Sequence, residues 1–164
     1  MKQPSTPSAP PSPASDHEPP TDAWPIPQPG DVLSYAYLWS HEAAAGREEG
    51  LKNRPVVVVV ASEIADGSVR LLVVPVTHSQ PTGQRDAIQI PQSTKNDLGL
   101  DRERSWIITS ELNRFIWPGP DIRIAGGRND PFLGAIPARL FEKVRAAILA
   151  LAGDDKMQIV KRTE

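Results

Sequence analysis

The sequence contains no cysteine, so it can build neither a disulfide framework nor a thiolate metal site, and it is compatible with a reducing compartment. The fold has to hold by packing alone. The sequence also lacks the continuous apolar stretch that a signal peptide or membrane span requires. It begins Met1-Lys2-Gln3 and passes directly into proline and serine, and a soluble, cytoplasmic protein is expected. Histidine is scarce. His17, His41 and His78 are scattered, with no HExxH or paired-ligand spacing, so no metal site is expected. The glycines never fall in GxxxxGK[ST] or GxGxxG, and no GxSxG elbow occurs, so no phosphate loop, dinucleotide cofactor or serine hydrolase is implied. Basic charge is not in excess either. A formal net charge of −2 argues against a general polyanion-binding surface, because non-specific nucleic-acid affinity comes mainly from phosphate neutralisation. Any RNA contact must be local.

With 164 residues, 39% of them hydrophobic, the chain can bury one modest core, and one domain is expected. Residues 1 to 29 are dominated by Pro, Ser, Thr and small residues, with Trp24 and Ile26 as the large apolar side chains. Such a stretch cannot offset its ordering entropy and reads as a disordered, extended tail, with Trp24 placed where it could pack on the domain. From Pro29-Gly30-Asp31 the pattern changes to short apolar segments separated by turn residues, the signature of an antiparallel β domain. Val32 to Trp39 reads as a first strand, followed by a polar stretch from His41 to Asn53. Pro55 to Ala61 then holds five consecutive valines, and so short a β-branched run is a central buried strand.

Asp66-Gly67 supplies the residues that a tight hairpin needs at positive φ, and Val69 to Thr77 is the returning strand. Asp86 to Ile90 alternates as a half-buried strand does, and another strand is expected from Ser105 to Leu112. Pro91 to Leu98 reads as a short helical turn capped at Gly99. After a break at Trp117-Pro118-Gly119-Pro120, Leu140, Phe141, Val144, Ile148 and Leu151 fall on one face of an amphipathic helix that starts at Pro137 and ends near Gly153. Residues 154 to 164 read as a short polar tail. The expected fold is α+β and mostly β, a curled antiparallel sheet closed by one long C-terminal helix over residues 30 to 153.

A hairpin brings the start of one strand beside the end of the next, so Arg54 and Thr77-His78-Ser79 should meet at one sheet edge. The polar loop before Arg54 overhangs that edge with Arg47, Glu48, Glu49 and Lys52. A guanidinium, a histidine and a hydroxyl around a cleft suit metal-independent RNA cleavage: a base takes the 2′-hydroxyl proton, an acid protonates the leaving 5′-oxygen, and a cation stabilises charge on phosphorus. Arginine presents a fixed fork of donors to phosphate, and histidine can exchange a proton near neutral pH. Each residue also has a plainer reading. Arg54 would be an ordinary strand-start cation paired with Glu48 or Glu49, Thr77 and Ser79 would be hydroxyls that cap backbone groups, and His78 would be structural.

The order of these motifs resembles that of the PemK/MazF toxins of type II toxin–antitoxin systems. Pro27-Gln28-Pro29-Gly30-Asp31-Val32 is similar to that family's opening, Gly46-Arg47-Glu48 to its loop, Arg54-Pro55-Val56-Val57-Val58-Val59 to its Arg-Pro strand, and Val73-Val74-Pro75-Val76-Thr77 to its strand ending in Pro-x-Thr. Ser110-Glu111 stands where the family usually has Asp-Gln, and the amphipathic helix closes the match near residue 152. The resemblance implies an SH3-like small barrel of the PemK/MazF/CcdB type, a homodimer, a cognate antitoxin, and cleavage of single-stranded mRNA without metal. Carried over by position, Arg54 would stabilise the phosphorane-like transition state and Thr77 would bind or orient the scissile phosphate. His78 as acid or base is an inference from its chemistry, and Arg47, Glu48, Lys52, Ser79 and Arg85 are the candidate substrate contacts. The alternative is a non-catalytic barrel that acts by binding, either a gyrase-poisoning toxin or an RNA- or peptide-binding module. Gyrase poisons depend on the end of the C-terminal helix, so truncation after Leu151 would separate the two readings.

Overall fold

The computed structural model describes residues 24–48, 50, 52–79 and 86–162. The expected tail up to residue 23 therefore lies outside the described residues, as do Glu49 and Arg85. The strands are β1 (Asp31–Ala36), β2 (Asn53–Glu63), β3 (Val69–Thr77), β4 (Ala87–Gln89), β5 (Trp106–Ile108), β6 (Glu111–Trp117), β7 (Phe132–Ala135) and β8 (Gln158–Lys161). The helices are α1 (Ser40–Ala44), α2 (Gln92–Asp97) and α3 (Ala138–Gly153). Among the described residues no helix is long and apolar enough to cross a membrane.

The valine run forms the middle of β2, which pairs antiparallel with β1 on one side and with β3 on the other. Val56 and Val58 enter one apolar cluster with Leu33, Tyr35, Leu71, Val73 and Phe115. Val57 enters a second with Val74, Val76, Ile107, Leu140 and Val144. The period-two alternation of a strand thus puts apolar side chains on both faces of the sheet, and this is why five β-branched residues run together without a polar interruption. The hairpin turns at Asp66-Gly67, where Gly67 has φ of 85°, a value that a side chain would strain.

The sheet runs β4-β5-β3-β2-β1-β7, with β6 paired to β3 and β8. It is mostly antiparallel, and β6 with β8 is a parallel pair. Among the described residues these pairings form an open path. Helix α3 covers one face, burying Leu140, Val144 and Leu151, with Phe141 and Ile148 packed against the same cluster, as the sequence periodicity indicates.

Four expectations are corrected. The first strand stops at Ala36 instead of running to Trp39, because its partner β2 begins at Asn53, opposite Ala36. The polar stretch after it opens with α1. The strand expected from Ser105 to Leu112 is two strands. β5 pairs with the end of β3 and with β4, while β6 continues to Trp117 along the start of β3. The polar tail expected from residue 154 carries β8, whose hydrogen bonding to β6 and buried Val160, with buried Arg162 just after it, compensate for its low hydrophobicity. At the other end, packing begins inside the expected tail, with the Trp24 ring 6.1 Å from that of Trp117.

Candidate functional site

In the β2–β3 register Val56 stands opposite Pro75, and two residues further out Arg54 comes level with Thr77. Both lie an even number of residues from Val56 and Val73, so their side chains project from the same face. They line one cleft of about 260 Å³ with Lys52, His78, Ser79, Asp101 and Ser105. The structure therefore brings together Arg54, Thr77, His78, Ser79 and Lys52, as the hairpin argument requires. Arg47 and Glu48 do not line the cleft.

Arg54 is half-buried, and its guanidinium carbon sits 5.0 Å from the centre of the Trp39 ring. Burial lowers its pKa from the ordinary arginine value, opposed by the negative charge of Glu42. Glu42 is thus the acidic residue that acts on Arg54 from α1. Glu48, expected as a partner, instead offers its backbone carbonyl to Arg162 Nη2 at 3.3 Å. Among the described residues Arg54 Nε is buried without an acceptor. Thr77 Oγ1 accepts a hydrogen bond from the Ser79 amide at 3.1 Å. That bond uses one lone pair of the hydroxyl and leaves its proton for another acceptor.

His78 lines the same cleft on the side of Asp101 and Ser105, its side chain half exposed. Its Nε2 is 2.9 Å from Asp101 Oδ2, and its Nδ1 lies 3.1 Å from both Ser105 Oγ and the Arg104 carbonyl. A doubly protonated ring donates to both sides, whereas a neutral one bonded to Asp101 through Nε2–H accepts from the Ser105 hydroxyl. Asp101 is anchored by Lys95, whose Nζ is 2.9 Å from Oδ1 and whose side chain is 1% exposed. The hydrogen bond from Lys95, with help from His78, holds the Asp101 carboxyl below the usual carboxylate range. Folding also does what the sequence spacing does not: one ligand atom from each of His78, Asp101 and Glu103 lies within 4.8 Å of the others, a group able to hold a metal ion.

Sequence reasoning missed Trp39, Asp101 and Lys95 as parts of this site. Trp39 read as strand, Lys95 lies inside the expected helical turn that becomes α2, and Asp101 lies just beyond it, with no local pattern that pairs either of them with His78. Glu111, aligned with the resemblance's Asp-Gln position, lies outside the cleft. Its carboxylate is buried and accepts from Tyr37 Oη at 3.1 Å, the Ser40 amide at 3.0 Å and Ser40 Oγ at 3.1 Å. Burial, and then the Glu111 charge, push the Tyr37 phenol far above its ordinary value.

The fold is shared with a chain of the crystal structure of MazE-MazF (Form-III) from Deinococcus radiodurans, at a TM-score of 0.50 and 18% sequence identity. The match covers 78% of this chain and 97% of that chain. Likeness at that identity shows a common fold. No protein-family model and no curated protein matches the sequence.

Proposed function

We propose that this chain is the toxin of a toxin–antitoxin pair, an endoribonuclease that cuts single-stranded mRNA in the cleft between Arg54 and His78 without a metal. The observation that carries the reading is the placement of Arg54 beside Thr77 on one face of one cleft. The fold shared with a chain of a MazE-MazF structure supports it. Cleavage needs no bound cofactor. The RNA's 2′-oxygen attacks phosphorus and gives its proton to a base. The bond from phosphorus to the 5′-oxygen breaks, and that oxygen takes a proton, leaving a 2′,3′-cyclic phosphate and a 5′-hydroxyl.

Arg54 presents its donors to the phosphate oxygens as charge builds on them, and the Thr77 hydroxyl donates to the same group. Lys52 and Ser79 add contacts along the chain. His78 is the acid or base, which requires one ring nitrogen to leave its protein partner when RNA enters. The same reading includes an SH3-like barrel, a homodimer, a cognate antitoxin and a cytoplasmic site of action.

The test is RNA incubated with purified protein and mapped by primer extension, beside growth after induced expression. Arg54→Ala should abolish both cleavage and growth arrest. An Arg54→Ala protein as toxic as the wild type would rule the mechanism out. Cleavage should persist in EDTA. Its loss there would assign the chemistry to the His78, Asp101 and Glu103 cluster instead.

A further inference from the structure

Arg54 is the cation on which the proposed cleavage depends, yet among the described residues no carboxylate closes an ion pair with it. What locates the guanidinium is the Trp39 ring beneath it, an arrangement stabilised by attraction of the cation to the ring face. Trp39 in turn lies beyond the end of β1, where no sheet ladder fixes the backbone. Its position depends on side chains that reach it from elsewhere.

Those side chains come from β6. The Asn113 side chain accepts from the Leu38 amide at 3.0 Å and donates to the Leu38 carbonyl at 2.7 Å, reproducing with one amide the pair of bonds that a neighbouring strand would supply. Asn113 is fully buried, so neither bond is exchanged for water. Arg162, itself 4% exposed, donates to Asn113 Oδ1 at 3.2 Å and to the Ala36 carbonyl at 2.9 Å, which fixes which end of the amide faces which way. Two residues along β6, Glu111 holds Ser40 on the other side of Trp39. The Trp39 amide itself donates to Glu42 at 3.1 Å. On the loop side Gly50 fits so closely that a Cβ there would collide with the Tyr37 carbonyl.

We propose that Asn113 is a positioning residue for Arg54: by clamping the Leu38 backbone it holds Trp39 as the platform that aims the guanidinium into the cleft. The inference rests on the reading of Arg54 as the phosphate-binding cation. Its geometric content, however, can be tested without RNA. In the NMR spectrum the Arg54 Nε–H proton should be displaced upfield by the Trp39 ring current, the signal being assigned by its loss in Arg54→Lys. Trp39→Leu and Asn113→Leu should each return it toward the position of a solvated arginine, and Trp39→Phe should keep part of the displacement.

On an RNA oligonucleotide the two leucine variants should lower kcat about tenfold with little change in KM, because the platform serves an interaction that strengthens in the transition state. Trp39→Phe should restore most of the rate. Asn113→Leu places an apolar group at a buried polar position and risks the fold, so half-buried Trp39→Leu, checked by thermal unfolding, carries the test if Asn113→Leu does not fold. A wild-type Arg54 signal that is missing or already at the solvated position overturns the inference, as does a signal that neither substitution moves. Wild-type protein that shows the ring-current shift but cuts no RNA would instead sink the proposed function and leave the platform standing.

Discussion

The two walls of the cleft are built on opposite principles. Arg54 stands on a long central strand and rests on an aromatic ring, and the supports behind that ring are buried amides and carboxylates on β6. His78 stands just past the end of β3, half exposed, among Asp101, Glu103 and Lys95, groups contributed by α2 and the segment after it rather than by the sheet core. One wall fixes a cation by exclusion of alternatives; the other surrounds a titratable ring with partners it can exchange. The contrast matches the proposed division of labour, in which a transition-state donor must not reorganise and a proton carrier must change partners.

The largest effect that could break this comparison is at Arg54. Arg54→Ala should lower kcat by a factor of about 100 to 1,000, the scale of one lost donor to a developing charge. It should change unfolding free energy by less than about 1 kcal/mol, since the residue packs on a half-buried ring and satisfies no buried acceptor. Next is the support of the same wall. Glu111→Ala removes the acceptor from three buried or half-buried donors and should cost about 3 kcal/mol. That loss is readable as a lower urea midpoint at constant m. Glu103→Ala on the facing wall, by contrast, should cost under about 0.5 kcal/mol. Equal costs at the two sites would mean that the walls do not differ in rigidity.

His78→Gln should reduce kcat about a hundredfold if the ring carries a proton, while leaving the unfolding midpoint nearly unmoved. A tenfold effect or less would return His78 to a purely structural role. Thr77→Val should cost about tenfold, one hydrogen bond to a charged oxygen, together with some disorder at Ser79, whose amide loses its acceptor. The truncation after Leu151 no longer separates enzyme from gyrase poison. It would remove β8 and the buried Arg162 that bonds to Asn113 and Asp121, and so would unfold the site it was meant to spare. Leu149→Glu, at an exposed position of α3, replaces it: cleavage should survive, whereas a toxin acting through the helix end should lose its effect.

The Arg54 wall was half legible in the sequence. A run of valines, an Asp-Gly turn and a returning apolar strand are local signals, and together they set the register that puts Arg54 beside Thr77. What stands behind Arg54 was not legible, because Asn113 meets Leu38 across 75 positions of sequence and nothing near either residue announces the other. β8 was missed for a related reason. Gln158-Ile159-Val160-Lys161 is too short and polar to read as a strand until β6 is there to pair with it. The His78 wall was legible only as a lone histidine. Nothing in the sequence singles out its partners Asp101 and Lys95, and only folding shows that the lysine is buried and the carboxylate bridges it to the ring.

The smallest predicted effect concerns that bridge and its dependence on pH. Asp101 has a folded-state pKa below its unfolded value of about 3.9, so the stability it contributes is fully present above that value and is lost as pH falls through the folded one. Because about half of the side chain is exposed, solvent screening keeps the contribution under about 1 kcal/mol. Asp101→Asn keeps an oxygen for Lys95 but removes the charge. The variant should therefore track the wild type with a small constant deficit above pH 5 and converge on it below pH 4, as measured by urea unfolding at each pH. A deficit that stays constant down to pH 2 would show that Lys95 and His78 are held by something other than the ionised carboxylate, and would erase the distinction drawn between an exchangeable wall and a fixed one.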